Sequence, residues 1–244
     1  MSEQLPLALR WPAHQRFESF VEGDNGAGID LLRRAASGDE IDRVFLSGAI
    51  GSGKTHLLIA ACAEAVAAER SAQYLDLSRV GGELASTIRR FGGSDVLAID
   101  NTDAIAGFAA AEHALFDLHN RCRAEGCTLL FAANESPHAL NLGLPDLVSR
   151  LAACTQWQIR VLDEAERRRV IHALAAGRGL EMDEAVLDWL FTRKARDLGT
   201  LVALLDRIDK AALSAQRRVT VPFLRQLFAT DQVPHPSEAR QGSR

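Results

Sequence analysis

The sequence predicts an α/β fold, a parallel five-stranded sheet flanked by helices, followed by a small all-helical domain. Three observations carry this. Five short apolar runs alternate with helical patterns between residues 44 and 161, the rhythm of βαβ units around a parallel sheet. A glycine-rich loop joins the first run to the first long helical stretch, in the order a phosphate-binding loop requires. From Asp163 onward every periodic stretch is helical.

In chain order, Val44-Phe45-Leu46 reads as a buried strand, and residues 54–69, rich in Ala and Leu, as a helix. Gln73–Leu77 is a second strand and 83–90 a helical piece. Val96–Ile99 is a third strand, 109–125 a helix, Thr128–Ala132 a fourth strand and Trp157–Val161 a fifth. The helices 163–177, 183–193, 197–215 and 220–229 follow, with Gly177 and Gly179 closing the first of them. This predicts an irregular, Pro-containing lead-in over 1–25, an α/β domain over 26–160, a small all-helical domain over 161–230 and a frayed tail over 231–244.

Composition narrows the class. A chain of 244 residues with 47% hydrophobic and 25% charged residues folds around a real core rather than remaining disordered. It holds no run of about 18 apolar residues, so no membrane span is expected. The N-terminus lacks a basic segment followed by an apolar one, so no secretory signal is expected and the reading is cytoplasmic. A net charge of −4 argues against a large nucleic-acid footprint. Cys62, Cys122, Cys127 and Cys154 form no CxxC pair and no metal spacing with His, so they read as reduced, buried thiols.

The chemistry sits in Gly48-Ala-Ile-Gly51-Ser52-Gly53-Lys54-Thr55, a full match to G-x-x-x-x-G-K-[ST] between a strand and a helix. Glycines let successive backbone N–H groups turn inward around phosphate oxygens, and the new helix aims its positive end at the same anion. Lys54 brings a point charge to the outer phosphates, and the Thr55 hydroxyl is a ligand for Mg²⁺. The second Mg²⁺ anchor is Asp100, which ends the apolar run Val96–Ile99. An acid is then wanted at the next position to orient attacking water, and the chain has Asn101, which cannot take a proton. Asp103 either compensates or serves as a turn or cap residue. Asn134, after the fourth strand, is either a sensor of the γ-phosphate or a turn residue before Ser136-Pro137. Nucleotide binding is therefore expected, with ADP or ATP and Mg²⁺, and fast hydrolysis by the isolated chain is not.

Several segments resemble one family. Gly51-Ser-Gly-Lys-Thr-His56-Leu-Leu58 resembles the phosphate-loop segment of DnaA-type AAA+ proteins, and Phe17–Phe20 with Gly23-Asp-Asn25 resembles the lead-in to that domain. Phe116–Arg121, Leu140–Leu151 and Ala215–Phe223 are similar to the Hda type, DnaA homologues that act in regulatory inactivation of the replication initiator. The resemblance runs from about residue 4 to residue 229. It implies a P-loop AAA+ module with a helical lid, and His56 beside the nucleotide. It implies a negative regulator of replication initiation that docks on the DNA polymerase III sliding clamp (beta subunit) and stimulates hydrolysis of ATP bound to DnaA. Arg150 matches the position of an arginine finger supplied in trans, with a surface ion pair as its alternative role. Gln4, Leu5, Leu7 and Leu9 lie in a hexapeptide similar to the clamp-docking motif of the family, although Pro6 and Ala8 stand in swapped order. In the lid, Gly199 stands where the family places a phosphate-contacting Arg, and Arg196 is the nearest substitute. The chain ends without the DNA-binding domain that follows the AAA+ module in DnaA, so no sequence-specific DNA binding is expected. AAA+ to AAA+ pairing with DnaA is the implied contact, and a homo-oligomer is compatible with it. The rival reading is an autonomous AAA+ ATPase, a helicase loader or DnaA-like replication factor, which Asn101 disfavours.

Overall fold

The computed structural model describes residues 11–12, 15–39, 42–193 and 198–229. Gln4, Leu5, Leu7, Leu9, Arg196 and the tail from 230 lie outside the described residues. The chain divides into two compact units between Val161 and Leu162.

In the first unit α1 (Gly26–Ser37) leads into β1 (Arg43–Ser47), followed by α2 (Lys54–Ala67), β2 (Ala72–Asp76), α3 (Leu84–Arg90), β3 (Val96–Asp100), α4 (Ala109–Glu125), β4 (Thr128–Ala133), α5 (Pro145–Ala152) and β5 (Thr155–Gln158). The five strands form one parallel sheet in the order β2-β3-β4-β1-β5. β1, β3 and β4 are apolar on both faces because both faces are covered. Alternation sends Phe45, Leu97, Ile99, Leu129 and Phe131 to a core shared with α4 and α5, and Val44, Leu46, Val96, Ala98 and Leu130 to a core shared with α1 and α2. All four cysteines are free and buried.

Three features depart from the sequence expectation. The fifth strand runs over Thr155–Gln158, two residues earlier than the apolar spacing of Trp157, Ile159 and Val161 suggests. It is an edge strand, so its pairing residues are mostly exposed and polar, and apolarity does not mark them. The Ile159 N–H adds one more bond to Ser47 O, after which Asn25 takes over both backbone groups of Arg160 (2.9 and 3.0 Å) and draws the chain off the sheet. Helix α1 carries no helical signal in the sequence, since Gly26 and Gly28 each cost roughly 1 kcal/mol of helix propensity. Gly28 is there for contact: a Cβ on it would stand 1.8 Å from the Trp157 ring. The Arg150 segment, to which the apolar spacing assigns no element, is helix α5 with Pro145 in its first turn.

The second unit holds α6 (Glu164–Gly177), α7 (Glu184–Arg193), α8 (Leu198–Ala215) and α9 (Val221–Ala229). Asp163 caps α6 in a reciprocal box with Glu166, each carboxylate accepting the other's backbone N–H at 2.7 Å. Ile171, Leu187, Leu190, Leu205, Ile208 and Leu224 close the core of this unit.

His119 on α4 is 1% exposed and stacks on Phe131, ring centroids 6.4 Å apart. Burial, and then the positive fields of Arg43, Arg150 and Arg123, push its imidazole down to about 4. The unfolded chain binds this proton at about pH 6.5, so His119 supports folding fully above that pH and loses its contribution as pH falls to about 4. The loss is on the order of 3 kcal/mol. Urea unfolding between pH 7 and 4.5 is expected to show a steeper fall for the wild type than for His119→Gln; parallel curves would contradict the assignment.

Candidate functional site

The sheet order decides which side chains can meet. β4 lies between β1 and β3, so the loop after β1, Asn134 after β4 and Asp100 ending β3 stand side by side at the carboxyl edge, where open α/β sheets bind ligands.

The loop from Gly48 to Gly53 enters α2 through left-handed backbone at Gly51 (φ 80°) and Gly53 (φ 98°). Gly53 also has no room for a side chain: a Cβ there would lie 2.5 Å from the Phe20 ring. Lys54 begins α2 and is only 6% exposed. Its ammonium donates to Gly48 O (2.6 Å), Ala49 O (3.0 Å) and Asn134 Oδ1 (3.1 Å). Burial lowers its pKa, and Asp100 and Asp103 oppose that shift. Three acceptors and two nearby carboxylates hold a cation where an isolated one would be expensive.

Asp100 is fully buried and collects three donors. Its Oδ2 accepts from Thr55 Oγ1 (2.5 Å) and Tyr74 OH (2.8 Å), and its Oδ1 accepts from the Asn101 N–H (2.8 Å). Asn101 itself adopts left-handed backbone (φ 53°), and its amide donates to Asp76 Oδ1 (2.7 Å) and Ser78 Oγ (3.3 Å). Asp103 lies in a 3-10 turn over Thr102–Ile105 and accepts from both the backbone and the side-chain amide of Asn134 (3.2 and 3.1 Å). Since Nδ2 is held by Asp103, Oδ1 is the atom left for Lys54.

The sequence-derived residues thus fall into three groups. Lys54, Thr55, Asp100 and Asn134 converge with the loop Gly48, Gly51, Ser52 and Gly53. His56 turns instead to the lead-in: its Nε2 donates to Arg16 O at 2.8 Å and its ring meets Phe20 edge-on at 5.4 Å. Arg150 is half-buried on α5, with its field felt at His119. No carboxylate pairs with it among the described residues. Tyr74, Asp76 and Asp103 complete the network. Asp103 is signalled by its spacing after Asp100, whereas Tyr74 and Asp76 lie in β2 and carry no motif.

The donor set fits a phosphate with Mg²⁺. Ser52 Oγ is buried without a hydrogen-bond partner, and a Cβ on Gly48 would come within 2.8 Å of it. The cradle therefore depends on a bare backbone and contains a donor to spare. Lys54 and the loop N–H groups suit phosphate oxygens, and a hydroxyl beside a carboxylate is the hard-oxygen pair that Mg²⁺ prefers. Among the described residues, no His/Cys/Asp/Glu cluster forms a separate metal centre, and no helix is long and apolar enough to cross a membrane.

The family model described as the bacterial DnaA ATPase domain matches residues 12–159, and the one described as the Hda lid domain matches residues 163–228. An uncharacterized protein of Haemophilus influenzae is 35% identical over 229 residues, spanning 93% of this chain and 99% of that protein. Domain III of the Thermotoga maritima replication initiation protein DnaA has the same fold, with a TM-score of 0.72 at 20% identity, over 92% of this chain and 99% of that one. AMPPCP-bound DnaA from Aquifex aeolicus gives a TM-score of 0.65 at 21% identity, over 81% of this chain and 66% of that one.

Removing the Lys54 ammonium should take from the cage the cation that faces phosphate. Lys54→Ala is expected to weaken binding of ADP by about tenfold or more, since charged hydrogen bonds contribute roughly 1.5–3 kcal/mol. Titration calorimetry on the two proteins decides it; equal affinities would mean that the loop does not hold phosphate.

Proposed function

The chain belongs to the DnaA-like AAA+ family of the Hda type, a DnaA-related replication regulator, and from that premise we propose that it inactivates DnaA by promoting hydrolysis of the ATP that DnaA carries. In this reading the chain holds its own nucleotide, ADP with Mg²⁺, at Lys54, Thr55 and Asp100. Gln4, Leu5, Leu7 and Leu9 dock it on the sliding clamp loaded on DNA. Arg150 is then presented to the γ-phosphate on DnaA, AAA+ domain to AAA+ domain.

The observation that carries the proposal is the state of Arg150. It sits half-exposed on α5 with no carboxylate partner among the described residues, which argues against the ordinary role of a surface ion pair. A guanidinium is always charged and planar, so it can bridge two oxygens of a transferring phosphoryl group. Supplied in trans, such a finger is worth about 10³–10⁵ in rate, roughly 4–7 kcal/mol of barrier.

The chain's own site favours holding nucleotide over turning it over. The residue after Asp100 is an amide, and Asp76 and Ser78 hold that amide on the β2 side. No side chain at that position can accept a proton from water. The Mg²⁺, when bound, supplies electrostatic stabilisation of phosphate charge; Lys54 and the loop orient the phosphates, and Asn134 holds the Lys54 ammonium through its Oδ1.

Single-turnover hydrolysis on ATP-loaded DnaA, with clamp on DNA present, tests the proposal. Arg150→Ala is expected to keep nucleotide and clamp binding and to lose most of the stimulation. Arg150→Lys should recover only a part, because a point charge cannot bridge two oxygens. Wild-type stimulation by Arg150→Ala would return Arg150 to the role of a surface residue.

A further inference from the structure

The network around Asp100 contains a residue that the phosphate-loop chemistry does not demand. Tyr74 is in β2, the strand at the edge beyond β3. The register pairs Tyr74 with Ala98 and Asp76 with Asp100. Parallel neighbours in register point to the same face, so Tyr74 passes over a methyl group and reaches forward to the carboxylate. Its hydroxyl donates to Asp100 Oδ2 at 2.8 Å, on the same oxygen that takes the Thr55 proton at 2.5 Å. Oδ1 is occupied by the Asn101 N–H. Two of the three contacts come from residues already assigned to the site or adjacent to it. The third, from Tyr74, comes from a different strand.

We propose that Tyr74 is a positioning residue for the Mg²⁺-dependent part of nucleotide binding: its hydroxyl fixes the plane of the Asp100 carboxylate so that Asp100 receives the Thr55 proton and the Thr55 oxygen is left free to face the metal. This rests on the nucleotide-binding reading above. The geometry gives the role its logic. A buried carboxylate with two hydroxyl donors on one oxygen has one orientation that satisfies both. With one donor removed it can rotate about its Cβ–Cγ bond, and the Thr55 hydroxyl loses a defined acceptor. Ala98 beneath it is fully buried and leaves the phenol room to span the gap. Nothing in the phosphate-loop motif calls for a phenol here, since a β2 residue that served only to pack would need no hydroxyl.

Tyr74→Phe removes the hydroxyl and keeps the ring, so it separates positioning from packing. ADP affinity is measured by calorimetry for wild type and variant, with excess Mg²⁺ and again in EDTA. The expected result is a loss of about three- to tenfold in affinity with Mg²⁺ and no change in EDTA, together with a similar thermal midpoint for the two apoproteins. The same loss in both conditions, or none in either, would overturn the proposal. A second measurement does not depend on the variant. The chain has one tyrosine, so tyrosine labelled with ¹³C at Cζ gives a single NMR resonance from this site. It should shift on adding ADP with Mg²⁺ and stay nearly still on adding ADP in EDTA. A resonance that responds equally to both would also overturn it. If the wild type binds no ADP in either condition, it is the nucleotide reading that falls; wild-type binding with an unaltered Mg²⁺ dependence in Tyr74→Phe overturns the Tyr74 role alone.

Discussion

The N-terminal unit is arranged around one expensive object, the buried ammonium of Lys54. A cation that is 6% exposed survives only with acceptors and opposite charge close by. Gly48 and Ala49 give carbonyls from the loop, Asn134 gives an amide oxygen from β4, and Asp100 and Asp103 give negative potential from the end of β3 and the turn after it. Each supplier is fixed by something further out. Asp103 sets which face of the Asn134 amide is presented, and the placement of β4 between β1 and β3 puts that amide within reach. The lead-in is tied in as well, through Phe20 against Gly53 and the His56 bond to Arg16 O. Such a cage is ready to exchange neutral carbonyls for phosphate oxygens without reorganising the sheet.

The same site fits the proposed division of labour. The glycine loop, Lys54, Thr55 and Asp100 stand together, while the position after Asp100 carries Asn101, held in left-handed backbone and bonded toward β2. Asparagine tolerates that backbone better than most residues. In the proposed reading, holding a nucleotide and hydrolysing it are separated within one fold, and the catalytic contribution moves to Arg150 on α5.

Most of this was legible in the sequence where the signal is local. The glycine loop, the three buried apolar strands β1, β3 and β4 and the helix over 109–125 follow from motif and period alone. Asp100 followed from its place at the end of an apolar run. What was not legible needed the third dimension. Thr155–Gln158 is a strand because β1 offers it an edge, and its own residues are polar. Helix α1 forms despite Gly28 because Trp157 must pack on a bare backbone. Tyr74 and Asp76 enter the site through the register of β2 on β3, which no spacing in the chain encodes. The turn of His56 toward the lead-in depends likewise on where residues 16–20 fold back.

The central claim is that this chain promotes hydrolysis on a partner rather than performing it. Phosphate release is followed in a single turnover, adding this chain, clamp-loaded DNA and ATP-loaded DnaA in every order and combination. The account predicts little release from the chain with ATP alone, little from DnaA alone, and a rise of several orders of magnitude only when chain, loaded clamp and DnaA are together. Equal release from DnaA with and without the chain, or rapid release from the chain alone, would contradict it.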